Sequence, residues 1–226
     1  MPETGGVAGL LAAAGQGIRL AAGPKAFVRV GDRTLLQWAV LALQDVVDDI
    51  FVAVAGTDAA LAQKLVPGAR VIAGGASRQA TVARLVRATE AEVVLVHDAA
   101  RPFLPEAVAR RVTAAARSVG AATAALRLAD TIVEVETGVT LERDRLRAIQ
   151  TPQGFRRTLL LEAHVRAEAD GFEATDDAAL VRRLGRPVEL VEGSPLLHKI
   201  TTPDDLRLAG ALEELWLEQR SRTAPR

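Results

Sequence analysis

The sequence predicts an α/β fold built on a mostly parallel sheet, and three observations predict it. Apolar stretches alternate with amphipathic ones along 226 residues, which is the rhythm of parallel strands joined by crossover helices. Two glycine clusters, Gly15 with Gly17 and Gly74 with Gly75, each follow an apolar stretch. Glycine at those places lets a strand end in a tight loop. Hydrophobic residues make up 49% of the chain, enough for one large domain with a well-buried core.

The elements follow in order. Val7–Ala13 reads as a buried strand. Thr34 is an N-cap for an amphipathic helix over Leu35–Leu43. Ile50–Ala55 is a strand, Asp58–Leu65 a short helix and Arg70–Ile72 a strand. Ser77 caps a helix over Arg78–Thr89. Val93–His97 is an apolar strand. Pro105–Ser118 is a helix with proline near its first turn. Ala122–Leu126 is another strand. The rhythm then breaks. Thr131–Glu136, a Thr137-Gly138 turn and Val139–Arg143 read as a hairpin. A hairpin with so little apolar surface must pack on the sheet or on another subunit. Helices resume at Arg156–Ala169 and Thr175–Leu184, with a strand at Pro187–Val191. Thr202 caps a last helix through about Leu217, with Pro203 at its first position and Asp204 and Asp205 in its first turn. The tail at 221–226 reads as frayed. One domain over 1–226 with an excursion at 131–152 is the expected organisation.

Composition excludes several classes. Lys plus Arg equals Asp plus Glu at 28 each, so no global charge draws the chain to nucleic acid. There is no cysteine, so disulfides, thiolate nucleophiles and thiolate metal sites are excluded, in keeping with a cytoplasmic protein. The N-terminal segment lacks a basic region and its apolar run is broken by glycine, so it reads as a core strand and not as a signal peptide. No stretch is long and apolar enough to span a membrane. Three unclustered histidines make a histidine zinc site a poor fit.

Chemistry concentrates at strand ends. In Ala13-Ala14-Gly15-Gln16-Gly17-Ile18-Arg19, followed by Pro24-Lys25, glycine lets backbone N–H groups approach an anion. Arg19 and Lys25 supply fixed positive charge for phosphate oxygens. The spacing fails as a P-loop, because Lys25 follows Pro24 and precedes Ala26. It fits a dinucleotide fingerprint poorly, because Leu20 stands where a small residue is needed. It fits a nucleotidyltransferase loop. Gly74-Gly75-Ala76-Ser77 opens a helix whose exposed N–H groups suit an anion or a base edge. His97-Asp98-Ala99-Ala100-Arg101-Pro102 leaves the apolar strand where α/β sheets bind ligands. Asp98 there suits a Mg²⁺–phosphate or a hydroxyl, and Arg101 a phosphate. An Asp98–Arg101 ion pair that merely steadies the turn is the competing reading. His97 reads as a packing residue. Thr175 suits a helix cap as well as a ligand. Arg143, Arg145 and Arg147 alternate on one strand and so share a face. Lys199, between Leu197 and Ile200, has a partly buried stem.

In this order, the glycine loop, Gly74-Gly75, HDAARP, Asp130-Thr131, Gln150-Thr151-Pro152-Gln153, Thr175-Asp176 and Lys199 resemble the IspD family of cytidylyltransferases. These transfer CMP from CTP to 2-C-methyl-D-erythritol 4-phosphate in the non-mevalonate isoprenoid route. The resemblance covers nearly the whole chain. It implies a Rossmann-like twisted sheet with helices on both faces, a protruding β-arm and a homodimer with interlocked arms. It implies that Arg19 and Lys25 stabilise charge at the α-phosphorus. Ala13, Ala14, Gly15 and Gly17 would line the nucleotide, and Gly74, Gly75, Ala76 and Thr81 would face the cytosine. Asp98, Ala99 and Arg101 would sit where nucleotide, Mg²⁺ and substrate meet, with Asp98 as the metal ligand. Thr131, Thr175 and Lys199 would face the sugar phosphate, and Arg143 and Thr151 would come from the partner's arm. Nucleic acid and membrane are not implied partners. A cytidylyltransferase for ribitol 5-phosphate, a guanylyltransferase for a pterin cofactor and a non-catalytic nucleotide sensor are the rival readings. Ala76, Thr81, Arg147 and His198 depart from residues frequent in the family.

Overall fold

The computed structural model describes residues 5–15 and 23–223. Strand β1 (Val7–Ala12) is followed by a small hairpin, β2 (Arg29–Val30) with β3 (Arg33–Thr34), and then by α1 (Leu35–Leu43). The alternation continues through β4 (Asp49–Val54), α2 (Ala59–Leu65), β5 (Arg70–Ala73), α3 (Arg78–Arg87), β6 (Val93–Asp98), α4 (Glu106–Val119) and β7 (Ala121–Arg127). A second small hairpin, β8 (Ile132–Val133) with β9 (Thr140–Leu141), precedes β10 (Arg147–Arg156). Then come α5 (Arg157–Ala169), α6 (Asp177–Arg183), β11 (Glu189–Glu192) and α7 (Pro203–Thr223).

The main sheet runs β11-β7-β10-β6-β1-β4-β5. All neighbours are parallel except β10, which is antiparallel to both β6 and β7. Both faces are buried, and successive residues serve opposite faces. Leu11 and Leu95 pack beneath Trp38, Phe103 and Trp216. Leu10, Val94 and Val96 pack on the other side with Leu85, Phe155 and Leu160. The expected fold class therefore holds.

Caps explain the helix starts. Thr34 accepts from the Gln37 N–H, and the Gln37 side chain returns to the Thr34 N–H, closing a capping box. Thr202 accepts from the Asp205 N–H, while Asp205 accepts from the Thr202 N–H. Helix α7 runs past the expected end at Leu217 to Thr223. Trp216 is buried and donates to the Leu104 carbonyl, and Arg220 pairs with Asp45. Those ties anchor the turns on either side of Leu217 and carry the helix past it.

Three expectations need correction. The excursion over 131–152 is shorter, because residues 147–152 belong to β10, a central strand. Pro152 and Gly154 argue against a central strand on sequence grounds; Pro152 falls in a register irregularity between Ile149 and Gln153, and Gly154 is regularly paired where a Cβ would stand 2.8 Å from Val112 Cγ1. The hairpin itself pairs only Ile132 with Leu141 and Val133 with Thr140, around a turn with Gly138 at φ +69. Arg143, Arg145 and Arg147 do not share a strand face, because Arg143–Arg145 is a 3-10 turn and Arg147 begins β10.

Candidate active site

A cavity of about 700 Å³ opens at the carboxyl ends of β1, β4 and β6, the usual ligand side of such a sheet. Its first wall is the chain leaving β1. Ala13 donates to the Ala53 carbonyl at 2.8 Å, and the Lys25 N–H returns to the Gly15 carbonyl at 3.3 Å. Ala13, Ala14, Gly15 and Lys25 all line the cavity. Gly17 and Arg19 lie outside the described residues.

The second wall is the turn into α3. The Gly74 N–H donates to the Val54 carbonyl. The Gly75 N–H donates to Thr81 Oγ1 at 3.0 Å, and the Thr81 hydroxyl donates to the Ser77 carbonyl at 2.8 Å. Ser77 caps the helix by accepting from the Ala80 N–H. A Cβ on Gly75 would stand 2.6 Å from Ala80 Cβ, and one on Gly74 would stand 2.7 Å from Ala14 Cβ. Close approach, not a left-handed backbone, demands glycine at both positions. Gly75, Ala76, Ser77 and Thr81 line the cavity; Gly74 supports them from behind.

Asp98, at the end of β6, forms the floor. Arg78 Nε donates to its Oδ1 at 3.2 Å and Lys199 Nζ to its Oδ2 at 2.8 Å. Burial alone would raise its pKa, but these two cations outweigh burial and hold the carboxyl well below the usual carboxylate range. The Asp98 N–H donates to Thr151 Oγ1 at 3.1 Å. That leaves the Thr151 hydroxyl to donate to His97 Nδ1 at 3.0 Å, while His97 Nε2 donates to the Arg101 carbonyl at 2.8 Å. This pattern requires neutral His97. Burial agrees, pushing its pKa down to about 4.

One side-chain and one backbone hydrogen bond bring Lys199 to the floor. Arg101 Nη1 donates to the Leu197 carbonyl at 2.6 Å, and the Ile200 N–H donates to the Ala100 carbonyl at 2.9 Å. They grip the chain on either side of Lys199. Beyond it, Asp205 accepts from the Thr201 N–H and hydroxyl and pairs with His198. Burial opposes ionisation of Asp205, but these donors hold it well below the ordinary range.

Of the residues expected at the nucleotide, Ala13, Ala14, Gly15, Lys25, Gly75, Ala76, Thr81, Asp98 and Ala99 meet in this one cavity, with Lys199, expected at the sugar phosphate. Thr151 does not sit on an arm. It is buried in β10, against His97 and Asp98 of its own chain. Arg101 turns away from the cavity to Leu197, and Asp98 pairs with Arg78 and Lys199 in its place. Thr131, Arg143 and Thr175 are exposed and do not line the cavity. Arg143 donates to the Ala129 carbonyl. The α6 cap is Asp176 and not Thr175. Sequence reasoning missed Arg78, although it follows the Ser77 cap directly. A cation at the positive end of a helix is the signal that could have marked it.

Asp98 is the single carboxylate lining the cavity among the described residues. No cluster of three or more metal-binding side chains occurs among them. A Mg²⁺ carried by a polyphosphate needs only one or two carboxylates besides phosphate oxygens, so Asp98 suits that role.

Fold and site together define an α/β protein with a glycine-lined cleft at the carboxyl ends of parallel strands, into which Lys25, Arg78 and Lys199 bring positive charge. Residues 7–214 match the family described as IspD, 2-C-methyl-D-erythritol 4-phosphate cytidylyltransferase. The enzyme of that name from Deinococcus radiodurans is 54% identical over 209 residues, covering 91% of this chain and 88% of its own. The one from Thermus thermophilus is 46% identical, covering 92% and 97%. The Thermus thermophilus crystal structure superposes with a TM-score of 0.83, over 94% of this chain and all of that one, at 45% identity. The chain belongs to the IspD family of cytidylyltransferases.

Proposed function

We propose that this chain transfers CMP from CTP to the phosphate of 2-C-methyl-D-erythritol 4-phosphate in isoprenoid precursor synthesis. The products are 4-diphosphocytidyl-2-C-methyl-D-erythritol and pyrophosphate. One observation carries the reading. Two glycine-lined turns, Asp98 and the Lys25 and Lys199 cations converge on a single cavity, in a chain that shares 54% identity with a cytidylyltransferase.

The chemistry needs little proton transfer. A phosphate monoester is already anionic near neutral pH. An oxygen of the acceptor phosphate attacks the α-phosphorus in line, and the bond to the β-phosphate oxygen breaks. Repulsion between anions and charge at the crowded phosphorus are the obstacles. The Gly75–Ser77 turn receives the cytosine, and the Ala13–Gly15 turn and Gly17 receive the triphosphate. Lys25 and Arg19 neutralise the developing charge. Lys199, with Thr131 and Thr175, holds the acceptor phosphate. Asp98 would hold a Mg²⁺ that arrives with CTP, which supplies charge neutralisation at the phosphates. Neutral His97 and Thr151 keep Asp98 in place.

The β8–β9 hairpin exposes Val133, Val135, Val139 and Leu141, which supports a homodimer in which the arm, with Arg143, completes the partner's site. Both substrates are highly charged and water-soluble, which supports a cytoplasmic setting. Purified protein with CTP, Mg²⁺ and 2-C-methyl-D-erythritol 4-phosphate, followed by ³¹P NMR, should yield a diphosphate diester and pyrophosphate. An unchanged spectrum would refute the assignment.

A further inference from the structure

Asp177 is a buried carboxylate, 1% exposed, and no step above uses it. It is the first residue of α6, yet that helix does not need its side chain. Asp176 accepts from the Ala179 N–H at 2.8 Å. Gln153 Oε1, from β10, accepts from the Asp177 and Ala178 N–H groups, each at 3.1 Å. The end is capped by others. The Asp177 carboxylate instead receives Arg78 Nη1 at 2.8 Å on Oδ2, and His164 Nε2 stands 3.4 Å from Oδ1.

Arg78 poses the complementary question. It is the first residue of α3, where the helix dipole disfavours a cation. It is also two-thirds withdrawn from solvent. Both costs persist only if something offsets them. The two carboxylates do, by gripping one guanidinium at separate nitrogens: Asp177 at Nη1 and Asp98 at Nε.

We infer that Asp177 is a positioning residue, which clamps Arg78 so that Arg78 in turn fixes the Asp98 carboxylate at the cavity floor. The inference rests on the cytidylyltransferase reading. It also decides which ion pair yields to substrate. Arg78 is tied at two points, whereas Lys199 meets Asp98 through one ammonium and is 41% exposed. When CTP and the acceptor enter, Lys199 turns from Asp98 to phosphate, and Asp98 stays oriented by Arg78. A planar fork can bridge two carboxylates in this way; a lysine ammonium of the same charge lacks the geometry.

The test is a double-mutant cycle in kcat/KM for CTP with Asp177→Asn and Arg78→Gln, alongside thermal unfolding of each variant. Each single change is expected to lower kcat/KM about 10- to 100-fold, and the pair no further than Arg78→Gln alone. Independent, multiplying penalties would overturn the inference. Arg78→Lys keeps the charge and serves if Asp177→Asn fails to fold. It is expected to lose as much as Arg78→Gln, and wild-type kcat/KM in that variant would also overturn the clamp. An inactive wild type would overturn the functional reading and this inference together. An active wild type with additive penalties would overturn the inference alone.

Discussion

Lys199 Nζ lies 2.8 Å from Asp98 Oδ2, across a sequence separation of 101 residues. The contact joins a loop before the last helix to the end of a central strand, and both side chains face the cavity. A cation parked on the floor carboxylate is poised for a phosphate. Lys199→Ala should lower the rate of pyrophosphate release about 10²- to 10³-fold, the cost of one lost transition-state donor at about 3 kcal/mol. Thermal unfolding should shift little, since the ammonium is partly exposed. A near-normal rate in steady-state assays would remove Lys199 from the chemistry.

Thr151 acts from inside the sheet. Its hydroxyl stands between the Asp98 N–H and His97 Nδ1. Thr151→Val keeps the shape but leaves both groups unpaired in a buried place, and should cost about 2 kcal/mol in urea unfolding. Thr151→Ser restores the hydroxyl and should recover most of that stability and activity. Equal losses in the two variants would mean that the methyl group, not the hydroxyl, matters.

Stability should depend on pH through His97. Its folded pKa is lowered to about 4 by burial, while an unfolded histidine titrates near 6.5. Between those values the unfolded chain binds the extra proton. The stabilisation is therefore complete above about pH 6.5 and lost progressively as pH falls toward about 4, by roughly 3 kcal/mol in all. Urea midpoints across that window should slope less in His97→Gln than in wild type. Identical slopes would show that His97 is not the group responsible.

Much of this was legible in the sequence. Thr34, Ser77 and Thr202 marked helix starts that the structure keeps, because caps act locally. Strand β6 and Asp98 at its end were legible because an apolar run followed by a polar turn marks a strand's carboxyl end. Strand β10 was not, because Pro152 and Gly154 speak against a strand and only the neighbours β6 and β7 make it one. Arg78 was missed for a related reason. Its partners Asp98 and Asp177 lie far along the chain, and no local pattern announces a cation's partner. The place of Thr151 in the sheet was not legible either, because the excursion's return into β10 leaves no local signal.

Arg143 sits on the turn after the exposed hairpin, away from its own chain's cavity. If the arm completes a partner's site, Arg19→Ala and Arg143→Ala subunits should each be poorly active alone and recover activity when mixed. Random pairing of defects on separate chains leaves some dimers with one intact site. No recovery after subunit exchange, verified by native mass spectrometry, would contradict an arm that completes the partner's site.

The acceptor is the most direct measure of what this cavity is for. Pyrophosphate release should be followed with CTP and Mg²⁺, comparing kcat/KM for 2-C-methyl-D-erythritol 4-phosphate and for ribitol 5-phosphate. The methylerythritol phosphate should be preferred by at least about tenfold, the equivalent of about 1.4 kcal/mol of differential transition-state binding. No release with it, or a higher kcat/KM with ribitol 5-phosphate, would contradict the assignment.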